Sequence, residues 1–312
     1  MKAILLNEAG GIENFIYADI DKPTLQKGEV LVKIKAIGIN PADAYARQNE
    51  EMITMFAGAD RPAIIGWDIS GEITEKAGDT DGFDIGDNVF GFTLMGKAYA
   101  EYVAIPVSAI AKKPANVTHE EAAAFPIAGL TGGQPVLHVA NIKRGDTVLI
   151  HGGSGGVGHY AVQIAKYLGA KVISTSSAKN RDFILSLGAD RHIDYTTQNF
   201  WEVVKDVDFV LDTIGGETLE HSIEIVKPGG KVVTVIPPSF NEEMVKKANE
   251  KSVQLSLGMV SNNGNDMQYF AGLFAKGALR SHISAVFPFA EMGKAHTLVE
   301  TGRTIGKIVV TL

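Results

Sequence analysis

Between residues 29 and 40 the chain reads EVLVKIKAIGIN, in which apolar and polar side chains alternate for several positions, and ISGEITEKAG at 69–78 repeats the alternation more briefly. A period of two predicts half-buried strands. Gly66, Gly71, Gly78, Gly82, Gly86, Gly91 and Gly96 punctuate the same region, as turns and bulges do. Residues 1–117 are therefore predicted to form a β-rich, barrel-like domain.

From His119 the period changes. Thr118 precedes HEEAAAFPIAGLTGG with Glu121 three residues on, the spacing of a capping box, and this predicts the start of a helix. Thr147–Ile150 is a short apolar run, GGSGGVG follows at 152–158, and Ala161, Ile164, Ala165 and Leu168 then share one helical face. A second apolar strand at Lys171–Ser174 arrives at the spacing of a βαβ unit. Further strands are expected at Arg191–Ile193, Phe209–Asp212 and Lys231–Ile236, with helical segments between them. The predicted fold class is α/β, a doubly wound parallel sheet over 118–260 beside the β-rich domain. MQYFAGLFAKGAL, from Met267, reads as a helix, and the chain closes on GKIVVTL, an alternating strand too short to stand alone. Residues 261–312 are expected to return and complete the first domain.

Composition narrows the function classes. The 312 residues carry 45% hydrophobic and 21% charged side chains, ordinary for a globular protein of two domains. With 36 acidic against 29 basic residues the formal charge is −7, which argues against a nucleic-acid or anionic-membrane surface. The apolar N-terminal run AILL is too short for a signal peptide, and the uncharged stretch 122–142 contains Pro126, Pro135, Gly129, Gly132 and Gly133, so neither export nor membrane insertion is expected. A cytoplasmic location is the default expectation. Zero cysteines exclude disulfides and thiolate metal sites and fit a reducing compartment.

Gly153, Gly155 and Gly158 stand at G-x-G-x-x-G spacing between the strand and the helix. The first allows a sharp turn, the second lets a pyrophosphate approach the backbone, and the third lets helix and strand pack closely. A glycine turn without a ligand would give the same string; the flanking strand, helix and second strand favour dinucleotide binding. An NAD site places an Asp or Glu about 20 residues beyond the glycines for the ribose 2′-hydroxyl. This chain has STSSAKNR at 174–181, with no carboxylate to repel a phosphate. Ser176 and Ser177 can donate hydrogen bonds, and Lys179 or Arg181 can pair with the anion. Hydrogen bonds to charged groups contribute roughly 1.5–3 kcal/mol each, so NADPH is the expected cofactor, the alternative being a solvated Ser/Lys turn.

The chain resembles the zinc-free quinone oxidoreductases of the medium-chain dehydrogenase/reductase (MDR) superfamily. The likeness spans essentially the whole length and is carried by GINPAD at 38–43, GWDISGEI at 66–73, FPIAGLTGGQ at 125–134, GGSGGVG at 152–158, LGADRHIDY at 187–195, DFVLDTIGGETLEHSI at 208–223, VKPGG at 226–230 and GRTIGKIVV at 302–310. It implies a GroES-like β-barrel-type domain with a Rossmann domain binding NADPH. It places the pyrophosphate against backbone around Ser154, Gly155, Gly156 and Val157, and the 2′-phosphate against Ser176, Lys179 and Tyr195. Tyr195 reads equally as a half-buried tyrosine at a strand end. Ile214 and Gly215 would lie along the adenosine, Thr131 beside the nicotinamide ribose or ring, and Asn40 and Asp43 would form a polar pair near the nicotinamide. Asn-Pro turn initiation with Asp43 capping the next helix is compatible with that role. The catalytic zinc-ligand positions of the superfamily's alcohol dehydrogenases are occupied by Asn40 and Trp67, and the four-cysteine lobe is missing, so no metal is expected.

Without a Lewis acid, hydride transfer to an acceptor that is already electrophilic, a quinone or an α,β-unsaturated carbonyl, is easier than alcohol oxidation. Tyr45 is a candidate proton donor, with a packing tyrosine as the alternative. An enoyl-thioester reductase and a non-catalytic NADPH-binding redox sensor are the competing functions. Loops within 45–62 and 237–268 would select the acceptor. The expected partner is a small-molecule quinone or enone, and a homodimer is expected, for which a strand near Val253–Leu257 could serve.

Overall fold

The computed structural model describes residues 1–57, 62–237 and 240–312. It divides into two compact units, residues 1–127 with 261–312, and residues 128–260. Parts of segments 45–62 and 237–268, expected to select the acceptor, therefore fall outside the described residues.

In the first unit β1 (Lys2–Leu5) and β2 (Ile16–Asp19) form an antiparallel pair, and β3 (Glu29–Ile39), β4 (Asp68–Ala77), β5 (Asn88–Phe92), β6 (Tyr102–Pro106) and β7 (Ile110–Lys112) follow. The alternation at 29–40 and 69–78 becomes the longest pairing of the unit, β3 against β4, with register shifts between Leu31 and Val32 and between Ile34 and Ala36. Helices α1 (Pro41–Gln48) and α2 (Glu50–Ala57) follow β3. Helix α3 (His119–Ala123) begins at the expected capping box: the Thr118 hydroxyl accepts from Glu121 N at 3.1 Å, and the Glu121 carboxylate accepts from Thr118 N at 2.9 Å. This segment, grouped with the nucleotide-binding region on sequence grounds, packs with the first unit instead. The reason is apolar: Phe125 is buried edge-on against Phe90 and Phe274 and tilted against Phe270.

Helix α4 (Pro126–Gln134) runs into a π-helical turn at Pro135–Val139 and leads to the second unit. Its strands are β8 (Thr147–Ile150), β9 (Lys171–Ser176), β10 (Arg191–Asp194), β11 (Val207–Asp212), β12 (Val226–Thr234) and β13 (Gln254–Leu257), all parallel, in the order β10-β9-β8-β11-β12-β13. Helices α5 (Gly158–Tyr167), α6 (Arg181–Ser186), α7 (Phe200–Val203), α8 (Gly216–Ile225) and α9 (Glu242–Glu250) alternate with them. The sequence order reverses beside β8, which puts the glycine turn at the topological switch point where ligands bind in such sheets. Val148, Leu149, Ile150, Val172, Val210, Leu211, Val232 and Val233 are fully buried, as strands covered on both faces require.

The chain then returns through α10 (Gly264–Ala275), β14 (Ile283–Pro288), α11 (Met292–Glu300) and β15 (Lys307–Thr311). Strand β15 pairs antiparallel with β3, Ile308 opposite Ile39, so the C-terminal tail completes the sheet β14-β15-β3-β4-β5-β7, with β6 also on β3. No helix among the described residues is long and apolar enough to cross a membrane.

Candidate functional site

The glycine turn between β8 and α5 is shaped by close approaches. Gly152 has φ +63°. A Cβ on Gly153 would lie 1.9 Å from the Ser174 hydroxyl, and one on Gly158 would lie 2.3 Å from the Gly152 carbonyl oxygen and 2.7 Å from Gly153 Cα. These two glycines let helix and strand touch. Gly155 differs, because a Cβ there would meet only the Gly152 oxygen, at 3.3 Å. Protein packing leaves room at Gly155, as a cradle for a phosphate would. Helix α5 starts at Gly158 without a side-chain cap; His159 N donates to the Gly155 carbonyl at 3.1 Å and Ala161 N to the Val157 carbonyl at 3.2 Å, and the helix N-terminus offers its partial positive charge to an anion. Gly132 of α4 abuts the same turn, 2.8 Å from the Val157 oxygen as a Cβ would be placed, and Thr131 beside it in sequence is half-buried.

Buried neutral groups hold the turn in place. Thr175 accepts from Gly152 N at 3.2 Å, and its carbonyl accepts from Gly153 N at 3.0 Å. His151, fully buried, contacts Thr175 Oγ1 at 3.1 Å and Ser222 Oγ at 3.0 Å. Ser222 gives its own proton to the Thr218 carbonyl, so His151 Nε2 carries hydrogen and donates, and Nδ1 accepts from Thr175. Burial pushes its pKa down to about 3. Asp212, at the end of β11, accepts from Ile214 N and Gly215 N at 3.0–3.1 Å and fixes the turn into α8, where Gly215 has φ +81°. Ile214 itself is 56% exposed.

At the end of β9, Ser176 is buried, its hydroxyl donating to the Ser177 carbonyl at 3.0 Å and lying 2.9 Å from His192 Nε2. Lys179 is exposed, as is Tyr195 at 65%, so the half-buried reading of Tyr195 does not hold. Asn180, buried, donates from Nδ2 to the Ser154 hydroxyl at 2.9 Å, and its Oδ1 has no partner among the described residues. An orphaned acceptor beside the glycine turn suits a sugar hydroxyl donor.

The first unit holds a different kind of site. Asn40 caps α1 in an extended conformation, Pro41 follows at the first helical position, and Asp43 accepts from Asn40 N at 2.6 Å. Asn40 Nδ2 donates to Asp68 at 2.9 Å, Ile127 N donates to the other Asp68 oxygen at 2.9 Å, and Lys307 donates to the Ile39 carbonyl at 2.8 Å and to Asn40 Oδ1. All four side chains are buried. Burial raises Asp43 to about 8 and Asp68 to about 6, the Lys307 ammonium partly offsetting both, and burial lowers Lys307. Lys307 thus opposes the effect of burial on both carboxyls, and hydrogen bonds link it to Asp68 through Asn40. Asp43 Oδ1 has no hydrogen-bond partner among the described residues. One turn further along α1, Arg47 donates to His296 Nδ1 at 3.3 Å and to the Gly10 carbonyl at 2.6 Å and pairs with Glu300, while His296 Nε2 reaches the Tyr99 hydroxyl at 2.7 Å. Tyr45 points elsewhere: it is 61% exposed, and its hydroxyl accepts from Asn49 at 3.2 Å, so it is neither a packing tyrosine nor a member of the cluster.

Residues 26–115 match the family model for the alcohol dehydrogenase GroES-like domain, and residues 187–310 match the one described as zinc-binding dehydrogenase. The chain is 34% identical to the quinone oxidoreductase from Coxiella burnetii, with a TM-score of 0.91 over 100% of this chain and 99% of that one. The chain belongs to the quinone oxidoreductase-like family of the MDR superfamily. It is 30% identical to the 2-methylene-furan-3-one reductase of Solanum lycopersicum, over 99% of this chain and 79% of that protein. A mycobacterial family structure complexed with NADPH is 29% identical, with a TM-score of 0.85 over the full length of both chains. The protein is thus an MDR-type oxidoreductase dependent on NAD(P)H.

The zinc in one model's description does not fit the residues present. The Asn40 carboxamide is engaged by Asp68 and Lys307, and the Trp67 ring is buried edge-on to Phe56 at 5.3 Å. A buried ammonium on Asn40 would repel a dication. No cluster of three or more His, Cys, Asp or Glu among the described residues could hold a metal ion. Sequence reasoning quoted the motifs containing Asp68, His192, Asp212 and Lys307 without giving these residues a role, and it passed over His151 and Asn180. The available signal was a charge set directly against an apolar strand, Asp68 before IS and Lys307 before IVV.

Proposed function

We propose that the protein is an NADPH-dependent, zinc-independent reductase of quinones or α,β-unsaturated carbonyls. The observation that carries this is the glycine turn at the switch point, with room at Gly155 and a carboxylate-free polar turn at the end of β9. When bound, the reduced nicotinamide supplies a hydride to an acceptor electrophilic enough to need no metal. In this reading Ser154, Gly155, Gly156 and Val157 and the start of α5 hold the pyrophosphate. Gly153 and Gly158 keep that backbone close to the strand. Ser176, Lys179 and Tyr195 hold the 2′-phosphate, Ile214 and Gly215 flank the adenosine, and Thr131 meets the nicotinamide ribose. Asn40 and Asp43 are the polar groups assigned to the reacting end, held rigid by Asp68 and Lys307.

The test is steady-state oxidation of NADPH, with NADH alongside, against quinones, enones and one enoyl thioester, with and without a chelator. Chelator-insensitive, NADPH-preferring turnover of quinones or enones is expected. Faster thioester reduction would make the protein an enoyl-thioester reductase, and tight NADPH binding with no acceptor reduced would make it a sensor. We assign it to the cytoplasm on its cysteine-free composition. A homodimer is proposed through β13, one of the two edge strands of the parallel sheet, and a monomer mass by light scattering would remove that assignment.

A further inference from the structure

The hydrogen-bond accounting at Ser176 leaves one group without a role. The Ser176 hydroxyl has a single proton, and it goes to the Ser177 carbonyl at 3.0 Å. His192 Nε2, 2.9 Å from the same oxygen, must therefore donate, which fixes the imidazole as a donor pointing at the end of β9. The register explains the meeting: His192 lies opposite Ser174 in the parallel pair, so it shares the face of Ser174 and Ser176. Ser176 therefore stands between a titratable ring and the turn that carries Lys179.

We propose that His192 is a specificity-determining residue for 2′-phosphorylated dinucleotides, acting through Ser176 and taking up a proton when the phosphate docks. This rests on the NADPH reading above. With a dianion at the turn, Ser176 swings its proton from the Ser177 carbonyl to a phosphate oxygen while His192 continues to donate to Ser176 Oγ. The added negative charge then favours the imidazolium. In the free protein burial holds His192 below its ordinary value, with Arg181 of α6 adding to that shift and a hydrogen bond to the Ser176 backbone and the neighbouring Asp194 opposing it. Burial thus disfavours the charged ring before the phosphate arrives. A dinucleotide with a plain 2′-hydroxyl brings no charge and moves no proton. Preference for NADPH should therefore decline as pH rises past the histidine's value in the complex.

The experiment is fluorescence titration of the full chain with NADPH and with NADH from pH 6.5 to 8.5, where the phosphate, with a second pKa of about 6, is largely dianionic throughout. It is run on the wild type, His192→Gln and His192→Phe, with calorimetry in two buffers of different ionisation heat to count protons. Gln keeps an N–H near the Nε2 position but cannot ionise; Phe removes it. The expected result is a wild-type preference that drops about ten-fold across the range, one tenfold step per pKa unit displaced. In H192Q the preference is flat with pH and no proton is taken up, and in H192F it is lower at every pH. A wild-type preference whose size, slope and proton count are unchanged in both variants overturns the role of His192 and leaves the cofactor reading intact. No wild-type preference at any pH overturns the cofactor reading, and the inference with it. Equal melting curves by circular dichroism exclude a folding defect as the cause of any change.

Discussion

The two candidate sites are built from opposite materials. Around the glycine turn of the second unit the functional surface is backbone, and the side chains bonded to it are mostly neutral, His151 stripped of its charge by burial, Thr175, Ser222 and Asn180, with the buried carboxylate of Asp212 taken up by the N–H groups of the neighbouring turn. Beneath α1 of the first unit the support is ionic, with Asp43, Asp68 and Lys307 buried together around Asn40. A neutral network tolerates the arrival and departure of a charged ligand because it brings no field of its own to be rearranged. An ionic cluster stays put, since each charge depends on the others for the solvation it lost. Rigidity therefore has a different source in each unit, and the two should fail differently.

The largest effect is expected at Lys307. Replacing it with Met leaves Asp68 with its charge buried and unpaired, a change that costs about 3–5 kcal/mol where buried pairs are broken from one side. Chemical denaturation should show that loss, and Lys307→Met combined with Asp68→Asn should recover a large part of it. A single-variant loss below about 1 kcal/mol, within the range of surface pairs, would mean the cluster is not ionic.

The pH dependence separates the two sites next. Asp43 and Asp68, raised to about 8 and about 6, hold protons in the folded chain that the unfolded chain releases above about 4. The folded state then binds more protons, so stability declines as pH rises through those values. His151 and His296, both lowered to about 3, act in the other direction: the unfolded chain takes up protons below about 6.5, and stability is lost as pH falls from there toward 3. Lys307, also lowered, adds stability with rising pH only in the window that ends near 10.4. Between pH 6.5 and 8.5 the slope thus belongs mainly to Asp43, at most about 1.4 kcal/mol per pH unit for one proton. Asp43→Asn should flatten it in denaturation series; an unchanged slope would place the ionisation elsewhere.

Within the glycine turn, Gly158→Ala and Gly155→Ala divide packing from binding. The first forces a methyl to 2.3 Å from a backbone oxygen and should cost about 1–3 kcal/mol of stability. The second meets only one oxygen at 3.3 Å, so stability should change by about 0.5 kcal/mol or less while NADPH affinity falls at least about ten-fold. Equal affinity in Gly155→Ala would remove this turn as the pyrophosphate site.

These contrasts also explain what was legible in the sequence. The glycine turn, β8, α5 and the Thr118 cap are announced by consecutive residues, through glycine spacing, periodicity and cap chemistry, even though the turn's hydrogen bonds reach Thr175 and β8 pairs with β9 and β11. The tail strand β15 was readable because an isolated alternating strand needs a sheet to join. The ionic cluster joins residues 28 and 267 positions apart, and a charge set against an apolar strand marks Asp68 and Lys307 singly without showing that they meet. Residues 118–127 were misplaced for a related reason, since the helix cap identified a helix while the aromatic contacts of Phe125 decided which unit it packs with.

The smallest expected effect concerns Tyr45, and it bears on whether the ionic unit contributes a side chain to chemistry at all. The residue follows Asn40 and Asp43 closely in sequence, yet α1 turns those two into the interior and leaves Tyr45 61% exposed with its hydroxyl on Asn49. An exposed hydroxyl bonded to one exposed amide contributes little to folding, so Tyr45→Phe should shift stability by less than about 0.5 kcal/mol. Turnover of quinones should change by less than about two-fold, because a quinone anion is stable enough to leave without an acid, whereas positioned acids are worth roughly a hundred-fold or more where they act. An enone is the sharper substrate, since the enolate formed on hydride addition must collect a proton. If Tyr45→Phe slowed enones by that larger factor while sparing quinones, the hydroxyl would be the proton donor and the exposed face of α1 would be part of the active surface. If both acceptors keep their rates, Tyr45 has no part in the mechanism, and the polar contribution of the first unit rests with Asn40 and Asp43.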